Sequence, residues 1–308
     1  MTSISSSNQK VVAITGITGC IGRKLAEYFA LNQWKIIGFS SDPLVARKKL
    51  ATLKGVSIFP FSLDSIDFLR NENVNVNVFI HLAWEGVSSG AKEDIAVQSK
   101  NLVISLLAAE LAYICHAEKF LSLGSILEYA GVEGIIDESS IPSARSVYGI
   151  CKVATRTALE QSLNNYGIPF LYAIVSSVYA VERDDGNVIS YVIKCLRSGK
   201  SPRLSRCEHY WNFIHIDDLV HALYILSRTS NLKGVFVIGS AENFKLKDYI
   251  EEIHRQINPT VEIFYGDENV NTRTVHNGAV DISKMINATG FRPSIDFSAG
   301  ISKILQNN

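Results

Sequence analysis

Short runs of β-branched and aromatic residues recur through the first half of the chain, each followed by a longer stretch whose apolar positions fall three or four apart. The short runs predict strands over Val11–Thr15, Lys35–Phe39, Val56–Phe59, Val78–His81, Phe120–Leu123 and Phe170–Val175. The longer stretches predict helices over Ile21–Asn32, Pro43–Thr52, Asp94–His116 and Val147–Tyr166. Near-continuous apolar strands need cover on both faces, which points to a parallel sheet between two helical layers, joined by right-handed crossovers. The expected fold is therefore a doubly wound α/β domain. Beyond Tyr179 the rhythm changes. A helix over Val188–Arg197 precedes a strand over Trp211–Ile216, which runs into Asp217 and Asp218, placed to cap a helix over Leu219–Ser227. The segments Gly234–Ile238, Lys245–Gln256, Val261–Tyr265, Asp281–Thr289 and Phe297–Gln306 read as a smaller mixed α/β lobe.

Composition removes several classes of partner. Thirty basic and thirty acidic side chains leave no net charge, whereas duplex binding needs a basic face to release counterions. No uninterrupted apolar run reaches the roughly 18 residues of a membrane span, so neither nucleic acid nor a membrane is expected. Residues 1–9 are serine-rich and polar, a flexible leader without the apolar core of a secretory signal. Five scattered cysteines with no C-x-x-C pair fit reduced thiols and a cytoplasmic setting, not a disulfide framework or a zinc site.

The chemistry begins directly after the first strand. Gly16-Ile17-Thr18-Gly19-Cys20-Ile21-Gly22 is a G-x-x-G-x-x-G loop that opens a helix. Gly16 allows the turn, Gly19 allows the backbone to approach a pyrophosphate, and Gly22 allows the helix to pack closely. The helix N-terminus then offers free N–H groups to the phosphates, so this seven-residue run is expected to bind a dinucleotide in a Rossmann-like domain. An NAD site usually carries an acidic residue at the end of the second strand. Here Ser40 and Ser41 stand there, Asp42 is displaced, and Arg47, Lys48 and Lys49 follow. Hydroxyls and cations suit a 2′-phosphate, so NADP(H) is favoured and NAD(H) remains open. Tyr148 and Lys152 lie four apart on one helical face, where the cation lowers the phenol pKa and makes it a usable acid or base. Ser125 stands at the end of a strand, at the edge where parallel sheets bind ligands.

With these motifs in place, the chain from Val11 to Pro293 resembles the extended short-chain dehydrogenase/reductases of the NAD(P)-dependent epimerase/dehydratase type. The likeness rests on the glycine loop, His81-Leu82-Ala83-Trp84, Asn101, Ser125 with Tyr129, the Tyr148/Lys152 pair, Asn212 to Asp218, and Asp281 to Lys284 followed by Gly290 to Pro293. The resemblance implies that Tyr148 is the general acid/base, that Lys152 binds the nicotinamide ribose, and that Ser125 bonds the reacting oxygen. It further implies that Ser62, Leu63, Leu82, Ala83 and Asn101 line the cofactor groove. Residues 10–180 would form the dinucleotide domain, with 211–240 returning to it, and 181–308 mainly a lobe for a nucleotide sugar. Trp84, Ser177 and Arg273 are expected at the substrate, with Arg203 and Arg206 as further cations for its diphosphate. The helices over Asp94–His116 and Val147–Tyr166 often form the dimer interface in this family, so a homodimer is expected.

Departures from the pattern narrow the reaction. Sugar-nucleotide 4,6-dehydratases carry an acid where this chain has Leu127. Glu128 comes one residue later, and a one-residue shift on a strand turns the side chain to the other face. Gly124-Ser125-Ile126-Leu127-Glu128-Tyr129 is more similar to nucleotide-sugar 4-ketoreductases. The expected activity is NADPH-dependent reduction of a nucleotide-linked 4-keto-6-deoxysugar, with a 4-epimerase holding NAD, or an NADP sensor without turnover, as alternatives. His215, Asp217, Asp218 and His221 read as a strand end and helix cap, so no metal is expected.

Overall fold

The computed structural model describes residues 9–62, 74–88, 90–180, 187–267 and 278–306. Strands β1 (Val11–Thr15), β2 (Lys35–Ser40), β3 (Val56–Pro60), β4 (Val78–His81), β5 (Phe120–Ser125) and β6 (Phe170–Val175) join the later β11 (Gly234–Ile238) in one seven-stranded sheet. Its order is β3-β2-β1-β4-β5-β6-β11, and every pairing is parallel. This is the doubly wound architecture, with the strand order reversing between β1 and β4.

Consecutive strand residues supply opposite faces. Val12, Ile14, Val78, Ile80 and Leu121 enter one core, against helices α1 (Cys20–Leu31) and α6 (Ile216–Arg228). Ala13, Phe79 and Phe120 enter the other, against α3 (Ile95–Ile114) and α4 (Val147–Asn165). α3 is long and apolar enough by composition to cross a membrane, yet it packs along α4 and turns Gln98, Asn101 and Ser105 inward, all fully buried. α2 (Pro43–Lys49) is shorter than expected, because the chain turns after Leu50.

A third core gathers β8 (Arg203–Leu204), β10 (Phe213–His215), α5 (Val188–Arg197), α7 (Leu246–Ile257) and α9 (Phe297–Gln306) into the smaller lobe. The strand expected over Trp211–Ile216 is two short ones, β9 (Tyr210–Trp211) and β10, broken at Asn212. That side chain is fully buried and knots the chain to the loop after β11, donating to Ser240 O and Glu242 O and accepting from Ser240 N. The following helix begins earlier than expected, at Ile216. Its cap is His215, whose Nδ1 accepts from Asp217 N at 3.2 Å, so Asp217 and Asp218 are first-turn residues and not the cap. Asp218 is buried and accepts from Ser294 N, Ser294 Oγ and Ile295 N, anchoring the turn that leads into α9. Asp217 meets Lys24 at 3.2 Å. Both carboxylates are thus engaged in protein contacts. β7 (Ser177–Tyr179) pairs with β10, β12 (Phe244–Lys245) with β9, and β13 (Phe264–Tyr265) with β8; α8 (Ser283–Thr289) precedes α9.

Candidate active site

The carboxyl ends of β1, β4 and β5 meet at the reversal in strand order, where open α/β sheets bind ligands. After β1, Gly16 takes φ +65°, and a Cβ there would lie 2.7 Å from Ala83 N, so only glycine fits. A Cβ on Gly22 would lie 2.3 Å from Gly16 O, so glycine here lets α1 rest on the loop. Gly19, the exposed N-cap of α1, would meet only Gly16 O, at 3.3 Å, and its outer side is open. Thr18, Cys20 and Ile21 are partly exposed around it. The run leaves a helix N-terminus at which Gly19 itself sets no side chain against a diphosphate, which fits a dinucleotide.

At the end of β2, Ser40 is buried and bonds the backbone of Asp42, while Ser41 is exposed. Asp42 Oδ1 accepts from Leu44 N and Val45 N, both at 3.0 Å, and so caps α2. Arg47 is exposed and reaches Ile58 O at 3.4 Å. Ser62 is partly buried past β3; Leu63 lies outside the described residues.

A buried hydrogen-bond chain, absent from the sequence reading, ties β1 to β4 and α3. Thr15 Oγ1 accepts from Leu82 N at 3.1 Å and Ala83 N at 3.2 Å. Its one hydrogen is then donated to His81 Nδ1, 2.8 Å away. Ser105 donates to Asn101 O at 2.7 Å, so its oxygen accepts from His81 Nε2 at 2.9 Å. His81 is therefore the neutral Nε2–H tautomer. Burial, aided by the Lys152 charge, lowers its pKa to about 3, which suits a structural tie and not an acid. Asn101 bonds Glu85 in both directions, accepting from its N–H at 2.8 Å and donating to its carbonyl at 3.0 Å. Gln98 donates to Gly86 O and Ala91 O and accepts from Trp84 Nε1 at 3.0 Å. Asn101, expected at the cofactor, is thus fully buried and holds the loop after β4 by its backbone. The 98/101/105 spacing is the signal that could have found this stripe: three polar residues on one face of an apolar helix.

That loop delivers Trp84. Its ring lies 3.6 Å from Lys152 Nζ, and the Trp84 and Tyr148 rings meet edge-on at 5.8 Å. Ser146 caps α4 by accepting from Gly149 N at 3.1 Å, placing Tyr148 in the first turn and Lys152 one turn later. A Cβ on Gly149 would lie 2.6 Å from Leu127 O, so glycine lets α4 press against the turn after β5. Lys152 is buried, donates to Leu123 O at 2.9 Å, and burial drives its pKa down.

β5 runs to Ser125, two residues past its expected end, and Ile126–Tyr129 is a 3-10 turn, not strand. Alternation along a strand therefore does not govern Glu128. Ser125 Oγ accepts from Leu127 N at 3.2 Å, while Glu128 Oε1 accepts from Ser125 N at 2.7 Å, forming a capping box. Glu128 is fully buried under the turn instead of facing the groove. With its oxygen spent as an acceptor, the Ser125 hydroxyl has its hydrogen to give to a ligand.

Toward the smaller lobe, Ser177 accepts from Trp211 Nε1 at 2.9 Å. Arg203 Nε bonds Asp267 Oδ2 at 2.6 Å and Arg206 is exposed; Arg273 lies outside the described residues. Among the described residues no cluster of histidine, cysteine and acidic side chains could hold a metal ion.

Residues 12–239 match the sequence model of the NAD dependent epimerase/dehydratase family. The chain belongs to that family. As a member it is an NAD(P)-dependent enzyme of the oxidoreductase and epimerase type. Among similar proteins, the dTDP-4-dehydro-6-deoxyglucose reductase of Escherichia coli is 24% identical over 313 residues, spanning 96% of each chain. CDP-abequose synthase of Yersinia pseudotuberculosis is 23% identical over 221 residues, 70% of this chain and 73% of its own. The UDP-glucuronic acid 4-epimerase of Bacillus cereus, solved with UDP-glucuronic acid and NAD, superposes with a TM-score of 0.83 at 18% identity, covering 97% of this chain and all of its own. At that identity the likeness establishes the epimerase/dehydratase fold.

Proposed function

We propose that this family member reduces a nucleotide-linked 4-keto-6-deoxysugar with NADPH, acting as a homodimer in the cytoplasm. The observation that carries the cofactor choice is Asp42: its carboxylate oxygen is committed to the Leu44 and Val45 amides, leaving exposed Ser41 and Arg47 just past the end of β2. That environment suits a 2′-phosphate better than a free 2′-hydroxyl. A dissociable NADPH in turn suits a net reduction. The reductase and synthase relatives are named for 4-dehydro and abequose nucleotide sugars, which supports the substrate class.

When bound, the reduced nicotinamide supplies the hydride. Tyr148 donates a proton to the substrate keto oxygen, the Ser125 hydroxyl bonds that same oxygen, and Lys152 holds the ribose while its charge favours the phenolate left on Tyr148. Trp84 closes one wall and shields Lys152 from water. Leu82 and Ala83, fixed by Thr15, sit against the glycine loop at the cofactor groove, and Ser177 faces the substrate lobe. Ile95, Val103, Leu106 and Tyr113 on α3 and Ile150 on α4 are exposed apolar residues on neighbouring helices, which supports pairing of two copies there.

The test is NADPH consumption with a panel of nucleotide 4-ketosugars, followed by absorbance loss. Turnover that disappears in Tyr148→Phe with cofactor binding retained is the expected result. Silence across the panel with NADPH bound overturns the reading. The second reading is a nucleotide-sugar 4-epimerase, whose fold is the same; purified protein that carries NAD and interconverts 4-epimers without added cofactor would establish it.

A further inference from the structure

The Lys152 ammonium stands where a charge finds little support. The side chain is buried, and its hydrogen-bond partner is a backbone carbonyl, Leu123 O, at 2.9 Å. Two rings lie beside it. The centroid of the Trp84 indole is 3.6 Å from Nζ, whereas the Tyr148 ring on the same helix is 5.8 Å away, near the limit at which a ring face attracts a cation. The indole is therefore the second contact of the ammonium.

The orientation of that ring is settled on α3. A Cβ on Gly86 would lie 2.6 Å from Gln98 Nε2, so glycine makes room for the amide. Nε2 donates to Gly86 O at 2.8 Å and to Ala91 O at 2.9 Å, and a flipped amide would set its oxygen against both carbonyls. Oε1 is thereby turned toward Trp84, whose one polar hydrogen, on Nε1, is donated to it at 3.0 Å. The Trp84 and Tyr148 rings meet at 74°, the edge-to-face arrangement that ring quadrupoles favour. The backbone on either side is tied separately, by Thr15 at Ala83 N and by Asn101 at Glu85.

We propose that Trp84 is a positioning residue: its indole, oriented by Gln98, holds the Lys152 ammonium in place through its π face, so that the remaining N–H donors are presented to the nicotinamide ribose.

The inference rests on the reading of Lys152 as the residue that holds the ribose, and deepens it. An ammonium carries three hydrogens. One is spent on Leu123 O and the ring covers one side, which gives the rest a fixed direction. A plain hydrocarbon cover would dry the site as well, yet would leave a flexible four-carbon stem to swing about a single hydrogen bond. The π face differs from such a wall because its attraction acts on the charge and is lost with it.

The experiment measures binding and adds no sugar. Calorimetric titration gives Kd for NADPH and for 2′,5′-ADP, which lacks the nicotinamide ribose. The second Kd divided by the first reads what the nicotinamide half contributes. NADH and AMP are titrated alongside, and the quotient is taken for whichever dinucleotide binds more tightly. Trp84→Leu is expected to lower it by roughly 5- to 30-fold, the scale of a cation–π contact to a desolvated ammonium, and Trp84→Phe by less. In Lys152→Met the quotient is itself reduced, and adding Trp84→Leu changes it by less than about twofold, since a residue that acts through Lys152 has nothing left to act on. A quotient that Trp84→Leu leaves unchanged or raises, or lowers as much with Met at 152 as with the native lysine, overturns the proposal. Trp84→Phe in the same two backgrounds decides it where the leucine variant does not fold. If neither dinucleotide binds the native protein more tightly than its adenosine half, the reading of Lys152 fails and the proposal with it. Failure of the 4-ketosugar reading alone leaves every quotient here untouched.

Discussion

Gly19 and Gly22 are three residues apart in one motif, and the structure assigns them different burdens that alanine substitution separates. In Gly22→Ala the new methyl starts 2.3 Å from Gly16 O and 2.9 Å from Ile17 Cα, about 1 Å short of ordinary contact. Both obstacles are backbone, so α1 itself must back away from the loop. Overpacking of that kind costs about 1–3 kcal/mol, or roughly 2–5 °C in Tm for a chain of this size. In Gly19→Ala the methyl meets only Gly16 O at 3.3 Å, a shortfall of a few tenths of an ångström, and otherwise points into open space. Stability should change by under about 1 kcal/mol, but the methyl now stands where a diphosphate must approach the amides of α1. Loss of one or two hydrogen bonds to a charged group, at about 1.5–3 kcal/mol for one, weakens cofactor binding by roughly 10- to 100-fold or more. Thermal melting and NADPH titration by fluorescence read the two effects. Gly19→Ala protein that melts normally and binds NADPH as well as the native chain would refute the loop as a phosphate cradle.

Acid should loosen the fold through His81. Its folded pKa of about 3 lies below the ordinary 6.5, so its stability contribution is complete above about pH 6.5 and is lost as pH falls from there toward 3. The loss from this one residue between pH 7 and pH 5 is about 2 kcal/mol; His209 and His215, also lowered by burial, act with the same sign. Urea unfolding at the two pH values checks this, and in His81→Phe, less stable at pH 7, the deficit against the native chain should shrink by about that amount at pH 5. If α3 and α4 pair two copies, light scattering gives twice the 34.0 kDa chain mass, and Leu106→Glu, on a residue 37% exposed, gives the single mass with melting unchanged.

The sheet was legible because its strands bury both faces. Val78-Phe79-Ile80 reads as a strand at once, since no half-exposed element keeps three apolar residues in a row. The motif positions were legible for a similar reason: glycines forced by backbone contact, and a tyrosine and lysine forced to share a helical face. Legibility failed where a polar side chain acts on distant backbone. Nothing local to Asn212 announces that its amide reaches Ser240 and Glu242, 28 and 30 residues on, and breaks a strand to do so. Ser125-x-x-Glu128 does carry the spacing of a capping box, but reading the segment as strand hides it, because strand alternation and a 3-10 turn place residue 128 on different sides of the chain. At Asn212 the missing information is the tertiary partner.

The buried polar chain behind the loop after β4 follows from the same accounting. Gln98, Asn101, Ser105, His81 and Thr15 are all buried, and unpaired polar groups there would each cost about 1–3 kcal/mol. They are tolerable only as a closed set, and the set closes on backbone: the amides of Leu82, Ala83 and Glu85 and the carbonyls of Glu85, Gly86 and Ala91. Leu82 and Ala83 sit against Gly16, and Trp84 lies over Lys152. One network therefore sets the position of the glycine loop's neighbour and of the ring that dries the lysine. An element this constrained cannot adjust one of these contacts without disturbing the other. That coupling explains why a helix otherwise apolar on several faces retains a stripe of amide and hydroxyl side chains pointing inward.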